Sequence, residues 1–287
     1  MAGCFEAPAR VNLLGEHTDY TGGLVLPLAI SFKTCAQIEP RADDLYEFTS
    51  ATVPGTRRMS VENRSGRVGD WSDYAVGVLR QLQARGVIPP PFSLRFKSTV
   101  PLGAGLSTSA SLEVATAVAV LSFSGAMLPT AKIAMLCRQA ENEYVGAPYG
   151  IMDQFVVAAA RANHALLLQT RELHYEQLPI DRRAIRDCAV VSANSMVKHS
   201  VASGEYGLRR QELEFGQSVL LKRFTGLRDL GEATLEQLAK CQEAMTAESF
   251  LRCRHVITEN GRACSAAGVA GWGRATFRCI DDCGACQ

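Results

Sequence analysis

The chain has 287 residues, 47% of them hydrophobic and 21% charged, enough apolar material to bury one large core or two ordinary ones. Its 30 Lys and Arg nearly balance 29 Asp and Glu, and without a long basic run neither nucleic acid nor a membrane surface gains electrostatic support as a partner. The start, MAGCFEAPARVNLL, lacks a basic segment followed by an apolar one, and no stretch has the length of a membrane span, so the cytoplasm is the expected compartment. Cys4, Cys35, Cys137, Cys188 and Cys241 are scattered through otherwise regular segments, which suits reduced, buried small hydrophobes better than a disulfide framework.

In chain order the elements are mixed α and β. GGLVLPLAISFKTCAQIEP, residues 22–40, is aliphatic and β-branched with Gly and Pro at its edges, and PFSLRFKSTVP, residues 91–101, alternates polar and apolar; both predict strands. The period then changes in STSASLEVATAVAVLSFSG, where Leu112, Ala115, Ala119 and Phe123 fall on one side of a predicted helix. A second helix is opened by Pro129 and Thr130 and stopped by Gly146. Strands return at HALLLQT and DCAVVSANS. Two late helices follow, one over residues 209–224 and one from Thr234, where Gln237 makes a capping box.

Chemistry begins at PLGAGLSTSASLEV, residues 101–114. A predicted strand runs into a Gly and Ser/Thr loop that opens a helix, so free N–H groups and the helix dipole face whatever sits at the loop. Gly103 and Gly105 permit close backbone approach, while Ser107, Thr108 and Ser109 supply hydroxyls for phosphate or Mg²⁺. No Gly-Lys-Ser/Thr closes the loop, so it is not a Walker P-loop, and on these residues alone a plain helix cap explains the stretch equally well. RVNLLGEHTDYTGG, residues 10–23, crowds Arg, Glu, His and Asp beside glycines. It is either a set of donors and acceptors for a polyhydroxylated ligand or a solvated loop in which Glu16 and His17 bond the backbone.

These two stretches resemble the first and second motifs of the galactokinases, a family of the GHMP small-molecule kinases. WSDYAVGV from Trp71, AENEYVGAPYGIMDQF from Ala140, SANSMVKHSVASGEYGLRRQE from Ser192 and FLRCRHVITEN from Phe250 are similar to the same family, in order and spacing. The resemblance runs from Ala7 to about Arg262. It implies an α+β, two-lobed GHMP-kinase fold, with the first lobe largely present and a second, ferredoxin-like lobe incomplete. The implied divisions are residues 1–180 for the lobe with the phosphate loop, 181–262 for part of the C-terminal lobe, and 263–287 for a non-family tail without fixed structure. The implied activity is ATP-dependent phosphorylation of galactose at its anomeric hydroxyl by a monomer, with ATP and Mg²⁺ as cofactors.

The same resemblance assigns roles. Asp153 is the catalytic carboxylate that takes the proton of the attacking hydroxyl, with Arg10 near it to neutralise charge on the transferring phosphoryl. Ser109 and Glu141 match the Mg²⁺ contacts, an oxygen set suited to a hard cation. Glu16, His17, Asp19, Gly150 and Tyr206 match the sugar pocket. Gly103, Gly105, Leu106, Ser107, Thr108 and Ser109 form the ATP phosphate loop, and Trp71 lies on the adenine side.

Ala9 stands where the family usually has Gly, and Thr108 where Ser is usual. The family's third, glycine-rich motif has no counterpart in the chain. Three activities fit this pattern: a galactokinase, a noncatalytic sugar and nucleotide-binding regulator, and a kinase of N-acetylated hexosamines. The terminal FRCIDDCGACQ, with Cys279, Cys283 and Cys286, is expected to be the product of a reading-frame shift near residues 261–263, with a soft-metal site as the alternative. From Ala263 onward no helical or strand period is expected.

Overall fold

The computed structural model describes residues 2–62, 66–180, 191–193 and 205–269. The architecture is α+β, and the chain forms two compact units: residues 1–11, 29–162 and 186–198 make the first, and residues 12–28, 163–185 and 199–287 the second. The division is not the contiguous one expected from sequence, because the two longest strands contribute residues to both units.

In the first unit the chain enters as β1 (Gly3–Leu14) and returns as β2 (Leu24–Pro40), which pairs with it. β3 (Leu45–Ser50) and β4 (Thr56–Ser60) form an antiparallel hairpin, then α1 (Ser72–Gln83) leads to β5 (Phe92–Ser98). The strand order is β4-β3-β5-β2, with β3 parallel to β5 and β5 antiparallel to β2, Thr34 opposite Ser98 and Pro40 opposite Phe92. Alternation decides which face is buried: Tyr46, Phe48, Phe92, Leu94 and Phe96 point inward at 0–1% exposure, while their sequence neighbours face out. Tyr46 and Phe48 pack on the Phe92 ring at 4.7 and 5.8 Å between centroids, and Phe123 reaches the same ring from the helical layer at 6.1 Å.

That layer consists of α1, α2 (Thr108–Phe123), α3 (Thr130–Gln139) and α4 (Met152–Ala159). α2 packs against the other three. It is therefore buried nearly all round, not on the single Leu112, Ala115, Ala119 and Phe123 face expected from its spacing; Val114, Ala117 and Val120 are as buried as Ala115 and Ala119. α3 continues as a π turn over Ala140–Val145 and stops at Gly146, φ +81°, where the sequence placed the stop.

A further correction concerns Cys4 and Cys35. They lie on the paired strands β1 and β2, and the structure joins them in a disulfide where reduced thiols were expected. Cys137 and Cys241 are free and buried as expected, and Cys253 joins them.

In the second unit residues 24–28 of β2 pair antiparallel with β6 (His164–Gln169), which pairs antiparallel with β7 (His174–Pro179). Leu24, Leu26, Ala165, Leu167 and Leu178 form one core cluster with Ala263. The other cluster is helical: α5 (Glu205–Arg223), the short α6 (Leu235–Ala239) and α7 (Ala247–Val269) enclose Leu213, Leu220, Leu238, Cys253 and Val256. The capping box at α6 is present, with Gln237 N–H donating to Thr234 Oγ1 at 3.2 Å and Thr234 N–H to Gln237 Oε1 at 2.9 Å. α7 runs through Val269, so residues 263–269 are helical where no period was expected. The strand expected in DCAVVSANS lies mostly outside the described residues, and residues 191–193 belong to no element. Cys279, Cys283, Cys286 and the frame-shift expectation for the tail also lie outside them.

Candidate active site

In the first unit, β1 delivers Arg10, the loop after β5 delivers residues 101–107, and the first turn of α4 delivers Asp153. Arg10 Nε and Nη2 donate to Asp153 Oδ1 and Oδ2 at 2.8 Å each, a two-pronged ion pair. Nη1 donates to the Gly105 carbonyl at 2.8 Å, and the Arg10 backbone N–H donates to the Leu106 carbonyl at 3.3 Å. Ser107 Oγ donates to Asp153 Oδ2 at 2.5 Å. Side chains of Arg10 and Asp153 keep 15% and 28% exposure, so the pair is reachable and yet poorly screened.

The loop itself is open. Gly103 and Gly105 have φ of +70° and +71°, and a side chain added at either would meet nothing within 4 Å; the backbone conformation, not crowding, calls for glycine here. Leu106 is buried with Ala9 and Val100. Thr108 Oγ1 lies 3.4 Å from the Pro101 carbonyl. Trp71, just before α1, is half-buried and packs edge-on against Phe96 at 5.8 Å, its indole N–H without a partner among the described residues.

Behind the ion pair is a buried acidic cluster. Glu141, in the π turn, is 1% exposed, and Glu113, mid-way along α2, is fully buried. Gln154, next to Asp153, divides its amide between them, donating to Glu141 Oε2 at 2.6 Å and Glu113 Oε2 at 3.0 Å. Each carboxylate keeps one buried oxygen, Oε1, with no partner among the described residues. Burial pushes Glu113 well above the usual carboxylate range, and Glu141 adds to the rise. Burial likewise raises Glu141 to about 7, against the opposing contact of Ser109.

A buried carboxylate with an unpaired oxygen and a serine hydroxyl beside it is a hard-oxygen donor set, so Ser109 and Glu141 fit a divalent cation such as Mg²⁺. Sequence reasoning missed Glu113 and Gln154. The available signal was a Glu inside an Ala- and Val-rich helix, where a solvated carboxylate has no place.

The second unit holds the polar loop between β1 and β2. Thr18, fully buried, donates to the Gly15 and Leu24 carbonyls at 2.8 and 2.6 Å. Glu259 Oε1 and Asn260 Oδ1 of α7 accept from the Gly15 and Leu24 N–H groups at 2.8 and 2.7 Å. Pinned at both ends, the loop presents Glu16, exposed and bonded to Asn12 Nδ2 at 2.8 Å, and the half-buried Asp19. His17, at φ +66°, shares a hydrogen bond with the Tyr20 hydroxyl at 2.8 Å and stacks on Tyr206 of α5 at 5.6 Å. Burial lowers the His17 pKa, so the ring is held neutral. His17, Tyr20, Arg209, Arg252 and His255 are among the residues lining a cavity of about 160 Å³. Gly150 is buried in the first unit, just before α4.

A glycine and serine loop that opens a helix beside a paired carboxylate is the setting in which comparison with known proteins finds the small-molecule kinases of the GHMP class. The GHMP kinases N terminal domain matches residues 73–161, and the galactokinase galactose-binding signature matches residues 2–40. The chain is 37% identical over 264 residues to a galactokinase of Halalkalibacterium halodurans, covering 91% of this chain and 66% of the relative. It is 39% identical over 272 residues to the galactokinase of Homo sapiens, covering 92% and 67%. The crystal structure of Lactococcus lactis galactokinase complexed with galactose superposes with a TM-score of 0.84 at 29% identity, over 94% of this chain and 70% of that one. Methanococcus jannaschii mevalonate kinase, with a TM-score of 0.59 at 15% identity, over 94% of this chain and 80% of that one, shares the fold.

The chain belongs to the galactokinase family. It spans about two thirds of the length of the curated relatives it matches.

Proposed function

We propose that the protein transfers the γ-phosphoryl group of ATP to the anomeric hydroxyl of galactose. The observation that carries this reading is the Asp153 carboxylate, gripped by Arg10 and Ser107 at the edge of the open glycine loop. Asp153 takes the proton of the attacking hydroxyl, and Arg10, spanning carboxylate and loop, meets the negative charge of the transferring phosphoryl. Backbone N–H groups at the start of α2 hold the phosphates, and Trp71 offers a ring on the adenine side. Glu16, His17, Asp19, Gly150 and Tyr206 are the sugar contacts, with neutral His17 able both to give and to take a hydrogen bond. Ser109 and Glu141 hold Mg²⁺, which when bound offsets phosphate charge.

Among the described residues no helix is long and apolar enough to cross a membrane. The cytoplasm and a monomeric state belong to the same proposal. Incubating the chain with ATP, Mg²⁺ and galactose and following ADP release tests it. Galactose-dependent ADP is expected. Galactose binding by calorimetry without ADP would instead select the noncatalytic binder, and preference for N-acetylgalactosamine would select the hexosamine kinase.

A further inference from the structure

We propose that Ser107 is a positioning residue for Asp153, holding the carboxylate from the loop side, and that its hydroxyl is not a phosphate ligand. The proposal rests on the kinase reading above. Ser107 precedes α2, where a serine side chain ordinarily caps the helix by accepting from a backbone N–H two or three residues on. It makes no such bond here. Its backbone instead sits in the left-handed region, φ +59° and ψ +49°, a conformation that costs a residue with a Cβ. There the hydroxyl meets Asp153 Oδ2, and the residue is 8% exposed.

The contact closes a ring. Three consecutive loop residues hold both members of the ion pair: Gly105 and Leu106 accept from Arg10 through their carbonyls, and Ser107 donates to Asp153. The neighbouring hydroxyls go elsewhere, Thr108 towards Pro101 and Ser109 beside Glu141. A loop displaced by substrate would thus carry the Asp153 orientation with it, and Ser107 is the side chain through which it would do so.

Backbone strain and hydroxyl chemistry can be separated by substitution. Ser107→Gly relieves the left-handed strain and deletes the hydroxyl; Ser107→Thr keeps the hydroxyl and aggravates the strain. The Gly variant is expected to melt at or above the wild-type temperature, to lose about 30-fold or more in kcat, and to keep KM for ATP and galactose within about threefold. The Thr variant should melt lower and yet exceed the Gly variant in kcat by about tenfold. A Gly variant with unchanged kcat, activity that simply follows melting temperature, or a rise confined to the KM for ATP would each overturn the assignment.

A melting cycle of Ser107→Ala, Asp153→Ala and the double variant, without substrates, reads the contact independently of turnover. Non-additive shifts support it and additive ones overturn it. Silence of the wild-type chain in the ADP assay would count against the kinase reading, while the cycle still decides the contact.

Discussion

Two carboxylate groups in the first unit are partnered in opposite ways. Asp153 is part-exposed and fully engaged: a guanidinium takes both its oxygens and a serine hydroxyl adds a third bond. Glu113 and Glu141 are buried and share one amide between them, each with an oxygen left over. Charge that the protein already matches can be turned on a neutral hydroxyl without reorganisation. Buried charge that it leaves unmatched is costly until a cation arrives or a proton stays on. On the proposed reading, the engaged carboxylate reacts and the buried pair holds a cation.

The sharpest way to break the contrast is Asp153→Ala. Phosphoryl transfer should fall by about a thousandfold or more, with sugar affinity by calorimetry within about tenfold, because the carboxylate is needed chiefly in the transition state. Equal turnover in the variant would remove Asp153 from the reaction. Next in size is the acidic cluster's response to pH. With Glu141 raised to about 7, the ionised form that binds a cation is lost as pH falls through that value. The Mg²⁺ concentration for half-maximal activity should therefore rise by up to about tenfold per pH unit below 7, and Glu141→Gln should weaken Mg²⁺ and flatten that dependence.

Glu16→Ala and Asp19→Ala should each weaken galactose binding by about tenfold, since each deletes a hydrogen bond and strands its partner. Unchanged sugar affinity in both would refute the pocket assignment.

The smallest effect is expected at Glu113. Its pKa is raised by burial, so its contribution to stability is intact below the ordinary carboxylate value and is lost as pH rises. Glu113→Gln carries no such charge. Its melting temperature should gain on wild type between pH 5 and 8, by about 2–4 °C, on the order of 1 kcal/mol. A gap that stays constant across that range would mean the group does not charge at the expense of the fold.

Much of this was legible in residue order, and the remainder fails for identifiable reasons. β2 stands out because an apolar run is bounded by Gly and Pro, β5 because polar and apolar residues alternate between prolines, and the α6 cap because Thr234 and Gln237 can satisfy each other's backbone N–H. β3 and β4 do not, since both are short, LYEFTS is half polar and TRRMS is polar but for its Met. The face of α2 was misread because periodicity reports a helix with one wet side, and α2 has almost none. The Cys4–Cys35 bond depends on the pairing of β1 with β2, which composition does not encode.

The site divides in the same way. The Gly and Ser loop declares an anion site locally, but Arg10 and Asp153 are 143 residues apart, and only resemblance joined them in advance. Glu113 has no local signature beyond a charge in the wrong place and Gln154 has none, and their meaning comes from packing.

On the proposed reading the Asp153 pair and the loop together move a phosphoryl group to a sugar. It is tested most directly by ³¹P and ¹H NMR of the chain incubated with ATP, Mg²⁺ and galactose, with the Asp153→Ala variant alongside. A galactose phosphate with its phosphorus coupled to the anomeric proton, formed with ADP and absent from the variant, is expected. Bound galactose and intact ATP, phosphate on another hydroxyl, or equal product from the variant would contradict it.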